Sequence, residues 1–329
     1  MVRFAGDCYS NPLLYIQLAF PWGKEGGPLE NYDGPDAWQE ELLHYVGGRI
    51  KEDPLGTIRD ATASGHGVGK SSVVAWLILW AMTTRPHLNG VVTANTFPQL
   101  NTKTWRELAV WHKRAINEHW FTWTATKFFK KEHPETWFVS PIANSENNSE
   151  AFAGQHGEHT LIIYDESSAI PDVIWEVSSG VNDPRAMWFV FGNPTKNTGR
   201  FKEGFGRHRN RWNTRQVDSR ECKMPNKDEL QKDVDSYDED SDFVRVRIKG
   251  EFPRAGSNQF ISAEVVDNAI KREVEVPVGS PKLLGVDVAR FGDDQTVIAR
   301  RHGRKIEPLV KLRGLDTMQV AAKVAEIIK

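Results

Sequence analysis

Short β-forming segments alternate along this chain with longer apolar or amphipathic segments. The segments predicted as strands are residues 56–64, 89–95, 159–168 and 186–195. The predicted helices cover residues 33–51, a stretch that begins at Lys70, and residues 100–117. Two further strands, in FTWTATKFFKK and TWFVSPI, are predicted to form a hairpin around residues 132–135. Strands that alternate with helices favour an α/β fold with a mainly parallel sheet.

The composition changes after residue 200. Residues 200–215 hold six basic residues against one acid, whereas residues 227–242 hold eight acids against two lysines and keep a helical spacing. Segments 253–260 and 274–282 flank a short helix and have the composition of linkers. From residue 282, three strands with tight turns and a helix from Asp316 begin a new pattern. We therefore expect one domain over 1–252 with a helical lid region at about 200–252, a linker over 253–281, and the start of a second domain over 282–329.

Charge and hydropathy narrow the range of partners. The formal net charge is −2 at pH 7, so any contact with nucleic acid has to come from local basic patches. The most apolar run, Val73 to Met82, is far shorter than the roughly 20 residues that a membrane span needs. This run is therefore predicted to be a buried helix, and no membrane partner is expected.

The segment SGHGVGKSS resembles a phosphate-binding loop. Such loops use glycines to bring several backbone N–H groups onto phosphate oxygens, with a lysine on the terminal phosphates and a hydroxyl on Mg²⁺. Here Lys70 takes the lysine role and Ser71 the hydroxyl role, while Ser64 replaces the usual first glycine, which requires a negative φ at that residue. The alternative is a flexible glycine turn. The residues expected to bind nucleotide are Ser64, Gly65, His66, Gly67, Val68, Gly69, Lys70, Ser71 and Ser72.

Acidic and amide side chains follow two of the predicted strands. Asp165 and Glu166 end the TLIIYDE strand, where an aspartate suits Mg²⁺ binding and a glutamate suits activation of the attacking water. An acidic pair at a solvated strand end is the alternative. Asn193 follows the next strand as a candidate γ-phosphate sensor or, equally well, a turn residue. Gln39 is a candidate reader of the adenine edge or an exposed helix glutamine.

Five segments in order resemble the large terminase subunit of tailed bacteriophages: SGHGVGKS, IIYDE, FGNPT, IKGEF and LLGVDVARFGDDQTV. The resemblance covers nearly all of the chain. It implies a P-loop ATPase domain that drives double-stranded DNA into a preformed capsid, followed by an RNase H-like nuclease domain that cuts concatemeric DNA with Mg²⁺ or Mn²⁺. It also implies a capsid portal protein and a small terminase subunit as partners, a ring of identical subunits on the portal, and the cytoplasm of the host cell as location.

The resemblance assigns roles to individual residues. Lys70 and Ser71 fall in the Walker A loop, with Asp165 and Glu166 in the Walker B segment of the ATP site. Gln39 falls at the adenine-reading position and Asn193 in the coupling segment. Asp287 corresponds to the first metal-binding acid of the nuclease, and Asp294 in the GDD turn is a weaker candidate because surface turns are often rich in aspartate.

Two features depart from the family pattern. His66 stands where many members have a loop arginine, so the charge-stabilising arginine has to come from elsewhere, with Arg200, Arg106 and a neighbouring subunit as candidates. An RNase H-like site also needs further acids, which we expect beyond Lys329, because one aspartate cannot hold two metal ions. We therefore expect a truncated nuclease domain without activity.

Three basic segments are candidates for DNA contact: residues 206–215, 127–131 and 300–305, although such segments are more often solvated surface. Two other functions stay open. The first is another P-loop DNA translocase or a helicase; a helicase needs a second motor domain, and the pattern after residue 282 does not predict one. A non-catalytic phage assembly protein is disfavoured by the intact Lys70, Asp165 and Glu166.

Overall fold

The structure is a computed structural model, and it describes residues 2–143, 152, 157–181, 183–254, 263–289 and 294–328. The chain divides into two compact units, Met1–Ser262 and Ala263–Lys329, which are described separately. Within the described residues, no helix is both long and apolar enough to cross a lipid bilayer.

The first unit is built on an eight-stranded sheet in the order β3-β4-β5-β2-β6-β7-β1-β8. Its strands are β1 (Ile58–Ser64), β2 (Asn89–Thr93), β3 (Phe121–Trp123), β4 (Phe128–Lys130), β5 (Phe138–Pro141), β6 (Thr160–Tyr164), β7 (Met187–Gly192) and β8 (Asn213–Val217). All neighbours from β5 to β8 pair in parallel, and β4 pairs antiparallel with β3 and β5. The predicted α/β fold with a mainly parallel sheet is confirmed.

Helices precede, connect and follow these strands. They are α1 (Val2–Cys8), α2 (Pro12–Ala19), α3 (Ala37–Glu52), α4 (Lys70–Thr84), α5 (Phe97–Gln99), α6 (Arg106–Arg114), α7 (Asp172–Ser178), α8 (Arg200–Gly204), α9 (Lys227–Tyr237) and α10 (Asp242–Val244). Two π-helical segments extend short helices, Leu100–Trp105 between α5 and α6, and Arg245–Lys249 after α10. Single π-helical turns often occur at functional sites.

The sheet separates two hydrophobic cores because successive strand residues point to opposite faces. Leu161 and Ile163 of β6 belong to one core, and Ile162 and Tyr164 belong to the other. Helix α4 is apolar on all sides and is buried from Val73 to Thr84, as the sequence predicted. It therefore fixes the position of the glycine loop at its start.

Two predictions for the first unit need correction. The single strand expected over residues 121–131 is two strands, β3 and β4, because the Thr124 hydroxyl caps a turn by accepting a hydrogen bond from the Lys127 N–H at 3.0 Å. The helix expected over 100–117 starts earlier, at Phe97, and ends at Arg114 after the π-helical segment. The predicted hairpin around residues 132–135 is present as the β4–β5 pair.

The second unit holds a small antiparallel sheet and two helices. Its elements are α11 (Ala263–Lys271), β9 (Lys282–Asp287), β10 (Thr296–His302), β11 (Lys305–Ile306), β12 (Val310–Leu312) and α12 (Thr317–Ile328). The sheet has four strands instead of the predicted three, because the turn at Gly303, with φ of +56°, returns the chain into β11. Asp316 caps α12 by accepting the Gln319 N–H at 2.8 Å.

Candidate active site

Three neighbouring parallel strands end at the same edge of the sheet. In the order β6, β7 and β1, their last residues are Tyr164, Gly192 and Ser64. Asp165, Asn193 and the glycine loop follow directly on these strands. The carboxyl edge of an open α/β sheet is where such folds bind ligands.

The loop between β1 and α4 presents backbone donors. The Gly65 N–H donates to the Val217 carbonyl at 3.0 Å, and the His66 N–H donates to the Arg247 carbonyl at 2.7 Å. The N–H groups of residues 67–72 have no acceptor within the described part of the chain. Gly67 and Gly69 have φ of +74° and +84°, which turns the loop so that α4 starts at Lys70. Unpaired N–H groups at a helix start form a cradle for an anion.

Close backbone packing explains why residue 65 is glycine. A Cβ there would lie 2.2 Å from the Ser219 hydroxyl and 2.3 Å from the Ile248 carbonyl oxygen. Ser64, by contrast, is the last strand residue, and it is not among the non-glycine residues with positive φ that the described structure contains, namely His87, Glu166, Arg185 and Asp238. The backbone condition on a serine at the first glycine position is therefore met.

Lys70 folds back over the loop. Its ammonium group donates to the Ser64 hydroxyl at 2.9 Å, to the Gly65 carbonyl at 3.1 Å and to the Asn193 side-chain oxygen at 3.5 Å. Burial lowers the pKa of Lys70 to about 8, and the negative charges of Asp165 and Glu166 oppose this effect. The lysine, the acidic pair and Asn193 thus occupy one site, as the sequence predicted for a nucleotide loop beside an acidic strand end.

Asp165 is buried and held by two donors. The Thr104 hydroxyl donates to its carboxylate at 2.6 Å, and the Glu166 backbone N–H donates at 3.0 Å. Burial raises the pKa of Asp165, whereas the bond from Thr104 lowers it. Thr104 lies in the π-helical segment Leu100–Trp105, and sequence reasoning missed it because a threonine within a predicted helix gives no signal of its partner.

Glu166 has an unusual backbone. Its φ of +52° and ψ of +44° place it in the left-handed region, which only a few per cent of non-glycine residues occupy. Its carboxylate lies 3.4 Å from the Lys103 ammonium group, and about a third of the side chain is exposed, at 33%. The turn therefore separates Glu166, which is open to solvent, from Asp165, which is not.

Gln39 and Asn193 both contact the loop directly. Gln39 is buried; its side-chain oxygen accepts the Asp36 N–H at 2.7 Å in the cap of α3, and its amide donates to the Gly69 carbonyl at 3.4 Å. The Asn193 amide donates to the Ser64 carbonyl at 2.7 Å. Asn193 thus connects the end of β7 to both Ser64 and Lys70. Gln39 is not an exposed helix residue.

A cavity of about 230 Å³ opens beside Gln39 and Ser72. Its walls include the aromatic side chains of Trp22, Tyr32 and Trp76. The Ser72 hydroxyl donates to the Glu107 carboxylate at 2.9 Å at its edge. The cavity combines apolar walls with a few polar groups, which is the usual make-up of a small-molecule site.

Oxygen donors suitable for a hard cation lie on this edge of the sheet. Ser71 follows Lys70 at the start of α4, and Asp165 faces Lys70 across the site, so a hydroxyl and a carboxylate fit the donor types that Mg²⁺ takes. Among the described residues, no cluster of three His, Cys, Asp or Glu side chains could hold a metal ion.

The acids predicted for a nuclease site lie in the second unit. Asp287 ends β9 and is exposed, as is Asp294. The remaining acid of the GDD turn, Asp293, lies outside the described residues.

The arginines proposed for charge stabilisation differ in their surroundings. Arg200 pairs with Glu176 at 2.6 Å and with Glu203 at 3.3 Å, whereas Arg106 is exposed.

The basic segment 206–215 does not form one surface. Arg207 pairs with Glu203 at 2.5 Å, and Arg215 reaches the buried Asp60 at 3.2 Å. Neighbouring basic residues in this segment therefore point to different environments.

A parallel sheet with a glycine loop after one strand, and acids after the strand two positions away in the sheet, defines the fold of a P-loop ATPase domain. The chain is 25% identical over 289 residues to a probable terminase large subunit of Enterobacteria phage P7, covering 80% of this chain and 58% of that protein. The chain thus spans little more than half the length of that curated relative. No protein-family model matches the chain.

Solved structures with the same fold are phage large terminases. The large terminase of bacteriophage HK97 aligns with a TM-score of 0.55 and 13% identity, covering 89% of this chain and 64% of that one. The large terminase of a thermophilic bacteriophage, in complex with ADP, aligns with a TM-score of 0.50 and 14% identity, covering 89% and 74%. The resemblance to terminase large subunits is confirmed in sequence and in fold.

Proposed function

We propose that this chain contains the ATP-hydrolysing motor of a phage large terminase, which moves double-stranded viral DNA into a preformed capsid. The observation that carries the proposal is the meeting of Lys70, Asn193 and the Asp165–Glu166 pair at one sheet edge. A related terminase structure contains ADP, which supports a nucleotide as the ligand. Phosphoryl transfer needs positioning and charge neutralisation more than covalent catalysis, and these residues are suited to both.

Each side chain has a role that follows from its environment. The N–H groups of residues 67–72 hold phosphate oxygens, and Lys70 exchanges its contacts with neutral oxygens for the charged terminal phosphates. Ser71 and Asp165 hold Mg²⁺, which neutralises phosphate charge when bound. Glu166 orients the attacking water and accepts its proton, since it is the more solvent-accessible acid. Asn193 senses the terminal phosphate through its contacts with Ser64 and Lys70.

The adenine base is assigned to the cavity beside Gln39. Trp22, Tyr32 and Trp76 supply aromatic walls, and Gln39, whose amide donates to the Gly69 carbonyl of the loop, also lines the cavity. Because the Gln39 oxygen caps α3, its amide nitrogen is fixed as the group that faces the loop. Gln39 therefore positions the base by donating a hydrogen bond.

The larger assembly follows from the relationship to terminases. A ring of these subunits on the capsid portal, with a small terminase subunit, fits a motor whose charge-stabilising arginine comes from Arg106, Arg200 or a neighbouring subunit. Arg106 suits this role better, because Arg200 is already paired with two glutamates.

DNA contact is assigned to basic side chains of segment 206–215. Asp287 is assigned to the metal site of a nuclease domain.

The decisive experiment measures ATP turnover with and without duplex DNA and portal, for the parent chain and for Lys70→Ala. We expect DNA and portal to stimulate turnover, and Lys70→Ala to lower it at least about a hundredfold because phosphate charge is no longer neutralised. Lys51→Ala, an exposed lysine at the end of α3, is the matched control and should not change turnover. Normal ATP turnover by the Lys70→Ala variant would contradict the assignment of the ATP site to the glycine loop. ATP turnover that changes with neither DNA nor portal would contradict the proposed motor function.

A further inference from the structure

A second basic cavity lies at the opposite end of the same strands. Arg59 of β1 and Trp188 of β7 are direct neighbours in the parallel register, one residue from the amino ends of their strands. Both side chains line a cavity of about 300 Å³, together with residues from α7, α8 and the segment that follows α8. The glycine loop follows β1 at its other end, so this cavity is separate from the candidate ATP site.

Tryptophans form the apolar walls. Trp175, Trp188 and Trp212 all line the cavity, and Trp212 meets the other two edge-on, with ring centroids 6.1 and 6.5 Å away. The indole N–H groups of Trp175 and Trp188 are buried and have no hydrogen-bond partner within the described structure. Apolar walls weaken the dielectric screening of charges that lie against them.

The positive charge in this cavity exceeds the negative charge. Arg59, Arg200 and Arg211 line it against one carboxylate, Glu176, which pairs with Arg200 at 2.6 Å. Glu203, just outside, pairs with Arg200 at 3.3 Å and lies 3.8 Å from His208, which also lines the cavity. For Arg211, no carboxylate partner occurs in the part of the chain that the structure describes.

Arg59 and Arg211 lie close enough to repel each other. Burial, and after it the positive charge of Arg211, lowers the pKa of Arg59. The Arg59 guanidinium also lies 5.7 Å from the centre of the Trp188 ring. Arg59 is partly buried and Arg211 is exposed, and a phosphate held between them would offset the repulsion that each exerts on the other.

We propose that this cavity binds a phosphate group through Arg211 and Arg59. Guanidinium groups match phosphate oxygens with paired N–H donors, and a second arginine allows the group to be held from two sides. The phosphate belongs either to a small free anion, such as inorganic phosphate, or to the backbone of a nucleic acid. The proposal does not depend on ATP hydrolysis at the other end of the sheet.

The test uses the whole chain carrying Lys70→Ala, so that the glycine loop contributes little. Titration calorimetry with inorganic phosphate should show binding that Arg211→Ala weakens roughly tenfold, since a charge-assisted contact is lost. Arg211→Lys keeps the charge and should lose less, which separates the anion site from a folding defect. Arg49→Ala is the matched control, because Arg49 pairs with Glu52 at 2.9 Å and does not line the cavity.

A second arm replaces inorganic phosphate with a short DNA duplex. Phosphate binding that depends on Arg211 identifies a small-anion site. Duplex binding that depends on Arg211 and not on Arg49, without measurable binding of inorganic phosphate, identifies a backbone phosphate. The proposal is overturned if Arg211→Ala weakens the binding of neither ligand.

Discussion

Strands β1 and β7 lead to two different sites at their two ends. At the carboxyl ends, Ser64 and Asn193 meet Lys70 around a backbone cradle. At the amino ends, Arg59 and Trp188 line a cavity whose polar groups come mostly from long side chains. The first site is made mainly of consecutive residues, and the second is gathered from five separate segments. A site built from consecutive backbone groups can therefore be recognised as a sequence motif. A site built from side chains of separate segments can be recognised only in the folded structure.

The largest effect that separates the two ends is expected from Glu166→Gln. Loss of the group that accepts the water proton should reduce ATP turnover by about a thousandfold while nucleotide binding is kept. Phosphate binding at the amino-end cavity should be unchanged. Steady-state phosphate release and nucleotide titration measure the two quantities. Glu158→Gln, an exposed glutamate before the same strand, should turn over ATP normally. Full activity of Glu166→Gln would show that another residue activates the water.

Gly65→Ala tests whether close backbone packing defines the carboxyl-end site. The added methyl group meets Ser219 and the Ile248 carbonyl well inside contact distance, so the free energy of unfolding should fall by about 2 kcal/mol. Gly48→Ala is the control, because nothing lies within 4 Å of its Cβ position in α3. That change should raise the free energy of unfolding by roughly 0.5–1 kcal/mol. Urea unfolding of both variants measures the difference, and equal stabilities would contradict the packing argument.

The smallest of these effects is a difference in pH dependence between the two ends. Burial lowers the pKa of Lys70 to about 8, and only its protonated form neutralises phosphate. Nucleotide affinity should therefore fall as pH rises above that value, becoming roughly tenfold weaker one unit higher, since binding has to take up a proton. Lys70→Arg should show little dependence, and so should phosphate binding at Arg211, because arginine stays charged. Equal affinity across this range for the parent chain would show that Lys70 is already protonated.

Much of the first unit could be predicted from local pattern. The strands β1, β2, β6 and β7 and helix α4 were predicted because their residue types agree with their final environment. Predictions were wrong at residues 121–131, where a side-chain cap divides one expected strand, and at 303–306, where a left-handed glycine adds a strand. In each place a single local bond or dihedral angle decides the outcome, and residue type alone does not reveal it.

The glycine loop, the acidic pair and Asn193 could be recognised from residue order alone, because a phosphate cradle depends on the residues along one turn and on strand ends that share an edge. The folded chain was needed to show that Thr104 holds Asp165, that Gln39 lies against Gly69, and that Arg207, Arg211 and Arg215 have different surroundings. The two kinds of feature differ in the range of the interactions that fix them. Backbone geometry is fixed by neighbours along the chain, whereas the partner of a long side chain is whatever the packed fold brings within hydrogen-bond distance.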